Sequence, residues 1–112
     1  MPLDAIRDAT ARAVASTSLR SVARDMGMTA MGLRAFLHGG DPRAATLRKL
    51  NEWYVREAAR TREVSAETVE AALIILLDFF PEDKAGELRR RLLDVLRTAH
   101  QENGTDPPRW LK

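Results

Sequence analysis

Residues 18–40, SLRSVARDMGMTAMGLRAFLHGG, constrain this chain more than any other stretch. They read as two short helices broken by a tight turn. The first runs over 19–26, Gly27, Met28 and Thr29 make the turn, and the second begins at Thr29 or Ala30 and stops at Gly39. Ala23 is small where the two helices would cross, and a larger side chain would push them apart. Gly27 falls where the chain must leave the first helix with positive φ, which costs glycine nothing. Thr29 suits the start of the second helix, its hydroxyl accepting a backbone N–H that otherwise lacks a partner. Val22, Met26, Met28, Leu33, Phe36 and Leu37 supply the apolar positions that hold the pair onto a third helix.

Val22, Ala23, Gly27, Met28 and Leu33 stand at a spacing that resembles the helix-turn-helix of the phage repressor and Cro superfamily, and here too a glycine follows the second helix. The resemblance covers residues 5–60. It implies a double-stranded DNA-binding regulator whose second helix, 29–38, lies in the major groove. Leu33, Phe36 and Leu37 point inward, so Ala30, Met31, Arg34 and His38 project outward, where the resemblance implies base recognition. Arg34 can bridge O6 and N7 of a guanine, a pair that discriminates by about 1–3 kcal/mol. Ala30 and Met31 offer apolar contact to thymine methyls. The family usually carries a polar, often amide, residue near the position of Ala30; its absence shifts specificity toward Arg34 and DNA shape. His38 reads equally as a base or phosphate contact and as a cation at a helix end. Phosphate contacts are expected from Ser18, Arg20, Thr29, Arg43, Thr46 and Lys49, with Arg24 nearby; these set register rather than sequence.

Charge patterning agrees with a polyanion-binding face. The net charge is only +2, but residues 1–60 carry ten basic and six acidic side chains and residues 61–112 eight and ten. Within 18–49 the basic residues are Arg20, Arg24, Arg34, Arg43, Arg48 and Lys49, against only Asp25 and Asp41. The bland alternative is a set of solvated arginines on a helical surface. Enzymatic chemistry finds little to work with. The chain has no cysteine and only two histidines, His38 and His100. No P-loop, HExxH or nucleophile-elbow pattern appears, so no catalytic residue, metal or cofactor is expected. Glu82, Asp83 and Glu87 fall in the first turn of a helix, where acids favour the dipole.

With 112 residues, 45% of them apolar and 30% charged, the chain has the make-up of one globular domain with a modest core. Its opening residues lack the apolar run of a signal peptide, and the longest apolar run, 71–77, is too short to span a bilayer. The expectation is a cytoplasmic protein, at the nucleoid when bound to DNA.

The flanking sequence predicts an all-α, compact helical bundle. A scaffold helix over 2–17 precedes the motif. Another follows over 44–60, with Leu47, Leu50, Tyr54, Val55 and Ala58 along one face and Trp53 on its flank, Trp53 and Tyr54 closing over the two-helix unit as core residues. Residues 66–80 are apolar nearly all round and are expected to be covered on more than one side. Pro81 ends that helix. A last helix over 82–102 should bury Leu88, Leu92, Val95, Leu96 and Ala99, with Leu93 off the stripe. The tail has no helical period, and Trp110 and Leu111 read as anchors docking on this chain or on a partner. The organisation is thus a DNA-binding region over 1–62 and a helical hairpin with tail over 63–112.

Two leucine-rich helices exceed what such a reader needs, and repressor-type readers commonly act as two-fold dimers. A homodimer interface is therefore expected at Leu73, Leu76, Leu77, Phe80, Leu92, Leu96 and Trp110, unless the hairpin only completes one core. The rival function is a protein-interaction adaptor, antitoxin-like or anti-repressor-like, receiving a partner helix on the apolar hairpin.

Overall fold

The computed structural model describes residues 3–112, which form helices and no strand. In chain order these are α1 Leu3–Ser16, α2 Leu19–Met26, α3 Ala30–Leu37, α4 Ala44–Thr61, α5 Ala66–Leu77 and α6 Glu82–Asn103; a single 3₁₀ turn, Arg109–Leu111, comes last. The start of the expected 2–17 helix, at Pro2, lies outside the described residues. Among those described, no helix is long and apolar enough to cross a membrane. The helices divide into two compact units, one ending at Ile75 and one spanning Leu76–Lys112.

The first unit is built on side chains that α1 to α4 turn inward. Ile6, Leu33 and Leu50 are wholly buried, and Val22, Ala23, Met26, Phe36 and Trp53 surround them. Burying each large apolar side chain is worth roughly 1.5–3 kcal/mol. Trp53 lies in this core and Tyr54 packs against it, as expected, while Leu47 and Val55, expected along the buried face, are only half-buried. The indole has more apolar area to remove from water than either, so its burial sets the rotation of α4. That rotation also buries Asn51, whose Nδ2 donates to the Leu47 carbonyl at 3.0 Å while its Oδ1 finds no partner among the described residues.

Helix ends in this unit follow from their caps. Ser18 Oγ accepts from Ser21 N at 3.1 Å and opens α2. At its far end Gly27 takes φ of 75°, and Met28 N donates back to the Ala23 carbonyl at 2.8 Å. That is a Schellman closure, which satisfies carbonyls the helix leaves over. Ser65 and Thr68 cap α5 reciprocally: Ser65 Oγ accepts from Thr68 N at 3.3 Å, and Ser65 N donates to Thr68 Oγ1 at 3.2 Å. This is a capping box with threonine in the place of the usual acid or amide.

Two expectations for the second half are corrected. The 66–80 helix stops at Leu77, where Phe80 N turns back to the Leu77 carbonyl at 3.1 Å. Pro81 disfavours helical backbone at the residue before it, which ends the helix early. α5 is covered on more than one side, as its apolar run predicts: Thr68, Ala71 and Leu73 are buried and Val69, Ile74, Ile75 and Leu77 half-buried, with Leu76 exposed. The expected buried stripe of α6 is buried only in part. Leu92, Val95 and Leu96 are exposed, Leu88, Ala99 and Leu93 are half-buried, and none of the helix's 22 residues is fully buried. Within the second unit only the last turn packs against α6. Leu111 is buried there, and Arg97 Nε donates to its carbonyl at 2.7 Å, so this anchor docks on its own chain.

Candidate nucleic-acid interface

Helix α3 is eight residues long and owes its position to what lies behind and beyond it. Leu33 and Phe36 are buried and Leu37 is half-buried, which fixes one face against the core. The opposite face is open: Met31 is 84% exposed, and Arg34 and His38 are also exposed, while Ala30 is half-buried. Ala35 shares the exposed face, a position the apolar periodicity did not mark because alanine suits either side. Among the described residues nothing pairs with Arg34, so its guanidinium keeps its full set of donors for a ligand.

Both ends of α3 are tightly held. Thr29 Oγ1 accepts from Gly32 N at 3.0 Å, the cap its sequence position predicts. At the other end Gly39 N donates to the Phe36 carbonyl and Gly40 N to the Ala35 carbonyl, at 3.1 and 2.9 Å. A Cβ at residue 40 would lie 2.8 Å from the Ala35 carbonyl oxygen, so this close approach requires glycine.

Three cations reach the carboxyl ends of the two motif helices. From α1, Arg7 Nε donates to the Phe36 carbonyl at 2.8 Å and Nη2 to that of Gly40 at 3.4 Å, with the guanidinium 4.7 Å above the Phe36 ring. From α4, Lys49 Nζ donates to the Gly27 carbonyl at 2.9 Å and Arg56 Nη2 to that of Asp25 at 3.1 Å. Positive charge at a helix carboxyl end is stabilising through both the free carbonyls and the dipole. Part of the basic excess therefore holds the motif together. The first helix, read as passive scaffold, carries one of these contacts. Long-range partners leave no local spacing signal, which is why the sequence does not reveal Arg7.

Four of the six residues expected at phosphates line one open groove of ≈ 530 Å³: Thr29, Arg43, Thr46 and Lys49. The groove lies between the turn, the 40–43 loop and the start of α4. No side chain caps α4, whose first helical hydrogen bond is Leu47 N to the Arg43 carbonyl at 2.8 Å. Its amino end thus presents a positive dipole end beside Arg43 and Lys49. Ser18 and Arg20, at the start of α2, do not line this groove, and Ser18 already caps its helix. Arg24 is exposed, whereas Arg48 pairs with Glu52 at 3.2 Å. Elsewhere on α4 the Arg60 guanidinium holds the Glu57 carboxyl below its ordinary range by direct hydrogen bonding.

Of the residues expected at a dimer interface, Leu73 is buried in the first unit, and Leu77 and Trp110 are half-buried. Leu76, Phe80, Leu92 and Leu96 are exposed. Among known proteins, no family model, no curated sequence and no solved structure matches this chain.

Proposed function

We propose that this protein reads double-stranded DNA, with α3 in the major groove and Arg34 as the principal base contact. The observation that carries the reading is the two-sided character of α3. Its back is sealed by Leu33 and Phe36, its ends are capped, and its front holds Met31, Arg34 and His38 in solvent. The groove with Thr29, Arg43 and Thr46 supplies hydroxyls and charge for the phosphates on one side of that helix. Lys49 is assigned a double role, holding the Gly27 carbonyl while its remaining donors face the groove. Resemblance to the phage repressor motif agrees with this assignment, and a regulatory role in transcription follows from it.

Selection from a random duplex library at about 150 mM salt tests the proposal, because non-specific phosphate binding is weak there. A shared enriched sequence is expected. Arg34→Ala should flatten the preference for that sequence over a scrambled one, whereas Arg43→Ala should weaken both about equally. Absence of any enriched sequence would overturn the reading in favour of a protein-binding adaptor, for which the exposed leucines of α6 are the available surface.

A further inference from the structure

An open cleft of ≈ 590 Å³ lies between the carboxyl-terminal halves of α1 and α4, with the 62–65 joint along it. Its size falls in the roughly 300–1,000 Å³ range of small-molecule sites. The core fixes both walls, since Ile6 and Thr10 of α1 and Leu50 of α4 are wholly buried. The cleft is therefore formed before anything enters it. Ala9, Ala13 and Ala58 give it a low apolar floor, to which Tyr54 adds an aromatic ring. Val64 also lines it and is 57% exposed, an apolar side chain left for an occupant to cover.

The cations of this cleft differ from most of those elsewhere in the chain. Arg7, Arg48, Arg60 and Arg97 each pair with an acid three or four residues away. Arg12 has Asp8 at the same spacing, yet its side chain lines the cleft and no ion pair forms. Arg62 lines the cleft too, without a partner among the described residues, and holds a positive φ of 60°. Glycine takes that backbone more readily, so an arginine kept there points to a use for its guanidinium. The Tyr54 hydroxyl is likewise without a partner among the described residues. Of the two acids in the cleft, Glu57 is engaged by Arg60, and Glu63 makes no ion pair. Two guanidiniums against one free carboxylate leave a single positive charge, which complements a monoanion.

We propose that this cleft binds a small aromatic monocarboxylate, its ring on the floor of Ala9, Ala13 and Ala58 beside Tyr54, its carboxylate held by Arg12 and Arg62. A guanidinium fork matches the planar carboxylate with two parallel hydrogen bonds, and the Tyr54 hydroxyl supplies a further donor. A phosphate would bring more negative charge toward Glu63 and no ring for the floor. The inference stands on the cleft alone and does not depend on the DNA reading.

Calorimetric titration of the full chain with 2-naphthoate, without DNA, should show one site per chain. Its dissociation constant should lie below about 1 mM, which a ligand of this size can reach. 2-Naphthamide keeps the rings and loses the charge, and should bind about 10-fold more weakly or worse. Inorganic phosphate should not displace the naphthoate. Arg12→Gln and Arg62→Gly should each lower the affinity about 10-fold. Both side chains are exposed and glycine suits the backbone at 62, so both variants should fold as the parent does. Methyl resonances of Ala9, Ala13 and Ala58 should shift on binding. Absence of binding, an amide as tight as the acid, displacement by phosphate, or indifference to both arginine substitutions would overturn the inference. So would shifts confined to the exposed leucines of α6, which would place the probe on that helix instead.

Discussion

The two units of this chain use their apolar residues in opposite ways. In the first, α1 to α4 turn Ile6, Leu33, Leu50, Phe36 and Trp53 onto one another and leave mainly polar side chains, with Met31 the notable apolar exception, facing water. In the second, α6 has a leucine-rich seam of comparable amphipathic quality, and its central members remain exposed. Apolar spacing therefore says which residues need cover, and not whether the same chain supplies it. The first unit closes because four short helices, bent by glycine turns, can surround a common centre. The second covers a helix of six turns only in part: Ala85, Leu88 and Ala99 are half-buried, while Leu92, Val95 and Leu96 at its middle are exposed.

The largest test of this contrast is a matched pair of truncations. Leu50→Ala removes a wholly buried side chain and should cost about 2–5 kcal/mol, read as a lowered melting temperature at any protein concentration. Leu96→Ala removes one that is 44% exposed and should cost under about 0.5 kcal/mol in dilute solution. Its cost should grow with concentration if a second copy covers the seam. Equal losses for the two variants in dilute solution would erase the distinction between the units.

A smaller effect is expected where backbone approaches backbone at the end of α3. Gly40→Ala would place its Cβ 2.8 Å from the Ala35 carbonyl oxygen, an overpacking that costs typically about 1–3 kcal/mol. The same change would disturb the closure that Arg7 reinforces from α1, so hydrogen exchange at the Gly39 and Gly40 amides should accelerate beyond the global loss. Exchange that rises uniformly across α1 to α4 would show instead that α3 has no local weakness at this end.

Legibility in the sequence followed the range of the interaction. Local signals were read correctly: Gly27 and Thr29 have the backbone and cap their positions call for, α2 has the expected bounds, and Leu33 and Phe36 face inward. These depend on neighbours within four or five residues, which a pattern can contain. On α4 the core place of Trp53 is legible in the sequence, but the half-burial of Leu47 and Val55 is not, because Trp53 and Leu47 compete for the same cover and only the assembled core decides between them. The same limit hid the clamps. Arg7, Lys49 and Arg56 reach across 22 to 33 residues to their carbonyls, so charge counting assigned Lys49 wholly to a ligand. The exposed face of α6 shows a related limit: spacing marks Leu92, Val95 and Leu96 as residues that need cover without saying what supplies it.

The smallest expected effect concerns the joint that follows α4. Arg62 ends that helix at φ of 60°, and Glu63 N donates to the Ala58 carbonyl at 3.1 Å, the same closure that Gly27 gives α2. It is the one non-glycine residue with positive φ among those described. A side chain in left-handed backbone costs about 1–2 kcal/mol, while glycine loses more freedom on folding, by about 0.5–1 kcal/mol. The difference predicts that Arg62→Gly stabilises the first unit by about 0.5 kcal/mol, a rise of about 2–4 °C in melting temperature. Arg62→Ala keeps the Cβ and should show no such rise. If both variants melted together, the gain would come from removing a charge rather than from relieving the backbone. The α4 closure would then be as unstrained as the glycine closure of α2.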